Sequence, residues 1–182
     1  MKQQINGNNP IRVLHMAPIR MGGITELVLT LSEKIDFEKV QFDYLTFEDT
    51  FDQASKRAKE AQSTIYRVDL QTVKNPIVRG LKKFFGIIKL VHSEQIKIIH
   101  INSSTPYEVL VAFAAKIGGA KKIIYHSHNS SYYPGQKLVK LSEVFKWFMP
   151  FVITDYLSCS DAAARFMFPK KIVDAENYTV IK

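Results

Sequence analysis

Three short stretches of this chain hold residue types able to do chemistry: Met21-Gly22-Gly23, Asn102-Ser103-Ser104 and His126-Ser127-His128-Asn129. The glycine pair follows an apolar run, Val13-Leu14-His15-Met16. It precedes Ile24, Leu27, Val28, Leu31 and Ile35, spaced as one helix face. A strand, two glycines and a helix start make a seat for an anion. Glycine lets backbone approach a phosphate closely, and the unpaired N–H groups and dipole of a helix start favour negative charge. The same pair could equally serve only to turn the chain. The dinucleotide fingerprint needs a third spaced glycine, and Asp43 lies too early in the next strand to hold a ribose. The P-loop pattern is absent, so neither a nicotinamide enzyme nor a P-loop NTPase is expected.

His126 and His128 are expected on opposite sides of the backbone. His126 then serves as a structural histidine at a strand end, while His128, further into the loop, is placed to touch a ligand. An H-x-H pair can begin a zinc site, but no carboxylate or third histidine lies near enough in sequence to complete one. Ser103, Ser104 and Ser160 read as caps and turn residues, since no serine has the G-x-S-x-G turn that exposes a nucleophile.

The elements that must position these stretches alternate regularly. Strands are expected at 13–16, 40–47, 64–68, 98–101, 122–125, 155–159 and 178–181, with helices between them. Asn75-Pro76 supplies a cap and a first-turn proline to a helix expected to bury Ile77, Leu81, Phe84, Phe85, Ile88 and Val91. Its other face shows Arg79, Lys82, Lys83 and Lys89. Thr105-Pro106-Tyr107-Glu108 reads as a capping box, and Gly118-Gly119 as the stop of the same helix. A longer helix is expected over 136–148, ended by Pro150, and a short one over 161–168 capped by Ser160. This alternation implies an α/β fold with a doubly wound, mostly parallel, Rossmann-like sheet. Ligands of such sheets sit outside the carboxyl ends of the strands, where all three stretches fall.

The chain has 182 residues, a formal net charge of +8 and one cysteine, Cys159. That length suits one well-buried domain, and a lone cysteine excludes an internal disulfide and fits a cytoplasmic setting. Residues 1–10 are polar, with no apolar core of a signal peptide, and read as a disordered tail. The basic charge suggests an anionic partner, but no nucleic-acid module is recognisable. Residues 144–151, VFKWFMPF, stand beside Lys137, Lys140 and Lys146; they read first as buried core and second as a membrane-facing patch.

VLHMAPIRMGGITELVLTL, QFDYLTF, IIHINSS, KKIIYHSHNSS, DYLSCSDAAARFMF and YTVIK occur in an order that resembles glycosyltransferase family four. The likeness is greatest to bacterial members that build capsular polysaccharide or exopolysaccharide. It implies that residues 11–182 are the N-terminal, acceptor-side domain of a GT-B architecture, with the C-terminal nucleotide-binding domain absent from this chain. It further implies retaining transfer of a sugar from a nucleotide diphosphate sugar to a glycan or polyprenyl-linked acceptor, with no metal or other cofactor. By the same resemblance Gly22 and Gly23 lie against the donor diphosphate. His126 and the catalytic His128 lie near the donor sugar, and Asn102, Ser103 and Ser104 border the acceptor. Many relatives carry an acidic residue two places after the second glycine, where this chain has Thr25.

Two readings follow. The first is half of a glycosyltransferase, inactive alone, acting in the cytoplasm and peripherally at the inner face of the plasma membrane. The second is a non-catalytic α/β module that docks a glycosyltransferase partner or an anionic membrane.

Overall fold

The structure, a computed structural model, describes residues 10–17, 19, 22–132 and 139–181. Its strands are β1 (Ile11–Met16), β2 (Val40–Thr46), β3 (Ile65–Arg67), β4 (Ile98–Ser103), β5 (Lys122–Ser127), β6 (Asp155–Ser158) and β7 (Thr179–Val180). They form one sheet in the order β3-β2-β1-β4-β5-β6-β7, and every neighbouring pair is parallel. The order reverses between β1 and β4, which is the topological switch point. All seven expected strands are present, with ends displaced by a few residues at most.

The helices are α1 (Gly23–Ser32), α2 (Asp52–Glu60), α3 (Pro76–Ser93), α4 (Val109–Gly118), α5 (Val139–Lys146), α6 (Asp161–Met167) and α7 (Lys170–Asp174). Because strand side chains alternate between faces, the sheet carries two cores. On one face Tyr44 packs with Val28 and Leu29 of α1 and Ala54 and Ala58 of α2. On the other, Leu14, Ile99, Ile101 and Ile123 pack in the cluster that holds Ile87 and Val91 of α3 and Ala112 and Ala115 of α4. Gly118 lets these two helices touch: a Cβ there would come within 2.8 Å of Val91 Cβ and 2.9 Å of the Ile88 carbonyl oxygen.

Local signals set several boundaries as expected. Asn75 Oδ1 accepts hydrogen bonds from the amides of Ile77 and Val78, and Ser160 Oγ accepts one from Ala163. Gly119 ends α4 in the left-handed conformation (φ 109°) that glycine tolerates best.

Other expectations need correction. The buried stripe of α1 is Thr25, Val28, Leu29 and Ser32, whereas Leu27 and Leu31 are exposed. Thr105 opens no capping box. Its amide is taken by Ser103 Oγ at 3.1 Å, the Glu108 carboxylate is held by Lys83 Nζ at 2.8 Å, and a 3-10 turn (Pro106–Glu108) precedes α4.

The largest departure concerns α3, where Ile77, Leu81 and Phe85 are 73%, 53% and 61% exposed. At 18 residues the helix is about 27 Å long. The six residues of β4 reach only about 20 Å. The difference of about 7 Å lets roughly the first turn of α3, with Ile77, project past the carboxyl edge of the sheet. Phe85 instead lies about 160° around the helix from the buried Ile87 and faces away from the core. Of 144–151, only Met149 is fully buried; Val144, Trp147 and Phe151 are exposed. Helix α7 was not anticipated. The tail 1–9, Met21, Lys137 and the start of the helix expected at 136 lie outside the described residues.

Candidate functional site

A cavity of about 340 Å³ opens at the carboxyl edge, over the switch point. Met16 and Ala17 from the end of β1, Thr46 from β2, Ile24 of α1, and Asn102 and Ser103 from β4 contribute to its wall. Ser104 and Thr105 line it as well, whereas Gly22, Gly23, His126 and His128 do not; these stand along the same edge, where parallel strands all end.

The glycine pair stands at the start of α1. Gly22 occupies the cap position without a side-chain hydrogen bond, and its carbonyl accepts from Glu26 N at 3.0 Å. A Cβ on either glycine would meet nothing within 4 Å. Among the described residues no neighbouring side chain requires glycine here, and the space above the helix start suits an approaching ligand.

The most distinctive feature is a row of imidazoles across one face of the sheet. His15 of β1 and His100 of β4 are register partners with ring centroids 4.7 Å apart. His100 stacks on His126 of β5 at 5.4 Å, and His126 lies 4.1 Å from His128. His126 and His128 thus share a side. Positions two apart on extended backbone face the same way, which corrects the expectation that they diverge. Burial in a nearly apolar layer penalises the charged imidazolium, so all four titrate low. His15 falls well below the usual range, first through burial and then through His100 and His126. His100 falls to about 3 through burial and then His126 and His128. His126 falls to about 4 through burial, and His128 to about 4 through burial and then His126. At neutral pH the row is uncharged.

Asn102 ties this row together. Its Nδ2 donates to the Met16 carbonyl at 3.4 Å and approaches His15 Nδ1 at 3.5 Å, while Oδ1 lies 3.0 Å from His128 Nε2. Because a carbonyl can only accept, the amide nitrogen faces Met16 and the amide oxygen faces His128. His128 therefore carries its proton on Nε2 and keeps the Nδ1 lone pair as an acceptor. Neither ring nitrogen of the buried His126 meets a hydrogen-bond partner among the described residues. Its role as a hydrogen-bonded strand cap is not seen, and its contacts are with rings.

Ser103 is buried and its hydroxyl donates to the Thr105 carbonyl at 2.8 Å. Tyr125 Oη donates to the same carbonyl at 2.7 Å. Ser103 thus shapes the turn that leads to the 3-10 segment, while Ser104 lines the cavity. Ser160 caps α6, as its sequence context suggested. No three His, Cys, Asp or Glu side chains are grouped to hold a metal ion among the described residues. Sequence reasoning passed over His15 and His100. The available signal was that each is the next-to-last residue of its expected strand, 13–16 and 98–101.

A doubly wound parallel sheet with an open helix start and a cavity at its switch point defines a Rossmann-like domain of the GT-B type. Residues 50–153 match the glycosyl transferase 4-like family, and the chain belongs to that family. EpsF of Bacillus subtilis (strain 168), provisionally named a glycosyltransferase, is 28% identical over 175 residues, covering 91% of this chain and 43% of EpsF. A glycosyltransferase from Rickettsia africae superposes with a TM-score of 0.67 at 15% identity, over 96% of this chain and 43% of that one. Anabaena Alr3699/HepE, crystallised in complex with UDP, superposes with a TM-score of 0.59 at 16% identity, over 95% of this chain and 43% of that one. The chain thus spans less than half the length of these relatives.

Proposed function

We propose that this chain is the acceptor-side half of a retaining glycosyltransferase. It would move a sugar from a nucleotide diphosphate sugar to a glycan or polyprenyl-linked acceptor, in the synthesis of cell-surface polysaccharide. The observation that carries this reading is the convergence of the open α1 start, Asn102 and His128 on the carboxyl edge, within a domain of glycosyltransferase family. Bound UDP in the Anabaena structure supports a nucleotide donor, and the partial coverage of EpsF supports a second domain beyond this one.

In this reading the first N–H groups of α1 face the diphosphate and stabilise the charge that grows on it as the glycosidic bond breaks. Gly22 and Gly23 keep that approach open. Neutral His128, held by Asn102 through Nε2, offers its Nδ1 lone pair to a hydroxyl of the donor sugar, with His126 packed behind it. Ser103, Ser104 and Asn102 shape the acceptor side. Neither a metal nor another cofactor takes part. The donor's base and ribose receive their contacts from the second half, so the 182-residue chain alone does not turn over. The site works in the cytoplasm, beside the inner face of the plasma membrane. No helix of the described residues is long and apolar enough to cross a membrane.

Titration with UDP, GDP and their sugars, followed by amide NMR, tests the site. Shifts at Gly22, Gly23 and around His128 are expected at millimolar affinity, and shifts confined to other surfaces would reject the assignment. Turnover by the isolated chain above a His128→Ala control would overturn the requirement for a second half.

A further inference from the structure

The exposed apolar residues of α3 are not scattered. Ile77, Leu81 and Phe84 of α3 face Leu110 and Val111 of α4 across a groove of about 440 Å³. That is the volume of a small-molecule site, in the range of roughly 300–1,000 Å³. Its lining is almost wholly apolar, which suits hydrocarbon and offers few hydrogen bonds to a polar ligand. One end of the groove is different. Tyr107 and Glu108 line both this groove and the polar cavity at the switch point, so the two spaces adjoin through a shared wall. At that wall Lys83 Nζ holds both Glu108 carboxylate oxygens, at 3.1 and 2.8 Å, and lies 4.4 Å over the Phe47 ring. The Glu108 charge is therefore balanced locally. Helix α3 contains Arg79, Lys82, Lys83 and Lys89 and no acidic residue; Arg79 is exposed in its first turn, while Lys82 lies on the far side of the helix toward Asp69.

A ligand matched to these surroundings is apolar along its length and anionic near one end. We propose that the α3–α4 groove seats the hydrocarbon chain of a phosphate-bearing lipid whose head group faces the cavity at the carboxyl edge. The groove begins where the start of α3 passes the sheet, so its Ile77 end has no strand to cover it. The head group meets the positive field of α3, and the chain replaces water along Ile77, Leu81 and Leu110. This inference rests on the glycosyltransferase reading in one respect, that the lipid is the carrier of the acceptor. A bilayer phospholipid shares the same chemistry, and so the test separates the two.

The probe is farnesyl phosphate below its micellar concentration, titrated into the 182-residue chain and followed by amide NMR. Farnesol, inorganic phosphate and phosphatidylglycerol vesicles serve as comparison arms. Saturable shifts at Gly80, Leu81, Leu110 and Val111 are expected, with farnesol and phosphate each at least about ten-fold weaker. Leu81→Glu and Leu110→Gln replace exposed side chains, so the fold should survive, as far-ultraviolet circular dichroism would check. Both should weaken farnesyl phosphate at least ten-fold while leaving the nucleotide titration unchanged. Shifts confined to Trp147 and Phe151, or binding indifferent to both variants, would overturn the groove. Vesicle binding without farnesyl phosphate binding would overturn it in favour of a bilayer contact. Lipid binding kept while nucleotide shifts fail would strike the transferase reading and leave the lipid site standing.

Discussion

Asn102 shows how one side chain can fix the chemistry of another. By presenting Oδ1 to His128 Nε2, it selects the imidazole tautomer that leaves Nδ1 able to accept. Asn102→Leu should therefore destabilise the fold by about 1–3 kcal/mol, the usual consequence of stranding a buried polar partner. The imidazole nitrogen shifts of His128 should also lose their single-tautomer pattern, which nitrogen-15 NMR would read. Gly23 makes the opposite case. It lies within α1 and has open space where a Cβ would stand. Gly23→Ala should stabilise the chain by about 0.4–1 kcal/mol in urea melts. If the glycine serves ligand approach, the same variant should weaken nucleotide binding, and equal binding would place the ligand elsewhere.

At the scale of elements, the left half of the sheet is pinned by a buried carboxylate. Asp43 is fully buried on β2, where Oδ2 accepts from Arg12 Nε at 2.8 Å and Oδ1 from the Thr64 amide at 2.8 Å. Arg12 belongs to β1 and Thr64 precedes β3, so one side chain joins three strands. Asp43→Ala should destabilise by about 1–3 kcal/mol, because the Thr64 amide loses its acceptor and the half-buried Arg12 guanidinium loses its counter-charge, keeping only Tyr66 Oη and the Glu94 carbonyl. The contact of α3 with α4 is equally demanding. Gly118→Ala drives a methyl group into Val91 and the Ile88 carbonyl, and overpacking of this kind costs about 1–3 kcal/mol. A denaturant midpoint unchanged in either variant would contradict these assignments.

At the scale of the whole molecule, the imidazole row links stability to pH. Unfolded histidines titrate near 6.5, whereas His100 titrates at about 3 and His126 and His128 at about 4 in the fold. Between those values the unfolded chain binds protons that the folded chain does not. Stability is therefore fully present above about pH 6.5 and falls as pH drops toward 4, by several kcal/mol in sum. Urea midpoints measured from pH 7 to 4 should decline steadily, and the slope should flatten in His100→Leu. A midpoint independent of pH would mean that the rings are not buried together.

The sequence by itself determined the seven strands, their parallel linkage and the loops that meet at the carboxyl edge. Short apolar runs, Asn75-Pro76, Ser160 and Gly119 act within a few residues of their effects. Tertiary structure decided what depends on register and relative length. The pairing of β1 with β4 set His15 beside His100, although 85 positions of sequence give no local hint of it. The periodicity of α3 correctly marked an apolar stripe but could not say which part the sheet would cover. A helix longer than its neighbouring strand leaves a turn over, which bared Ile77, and the rotation of α3 about its own axis kept Ile87 and Val91 inside and Phe85 out.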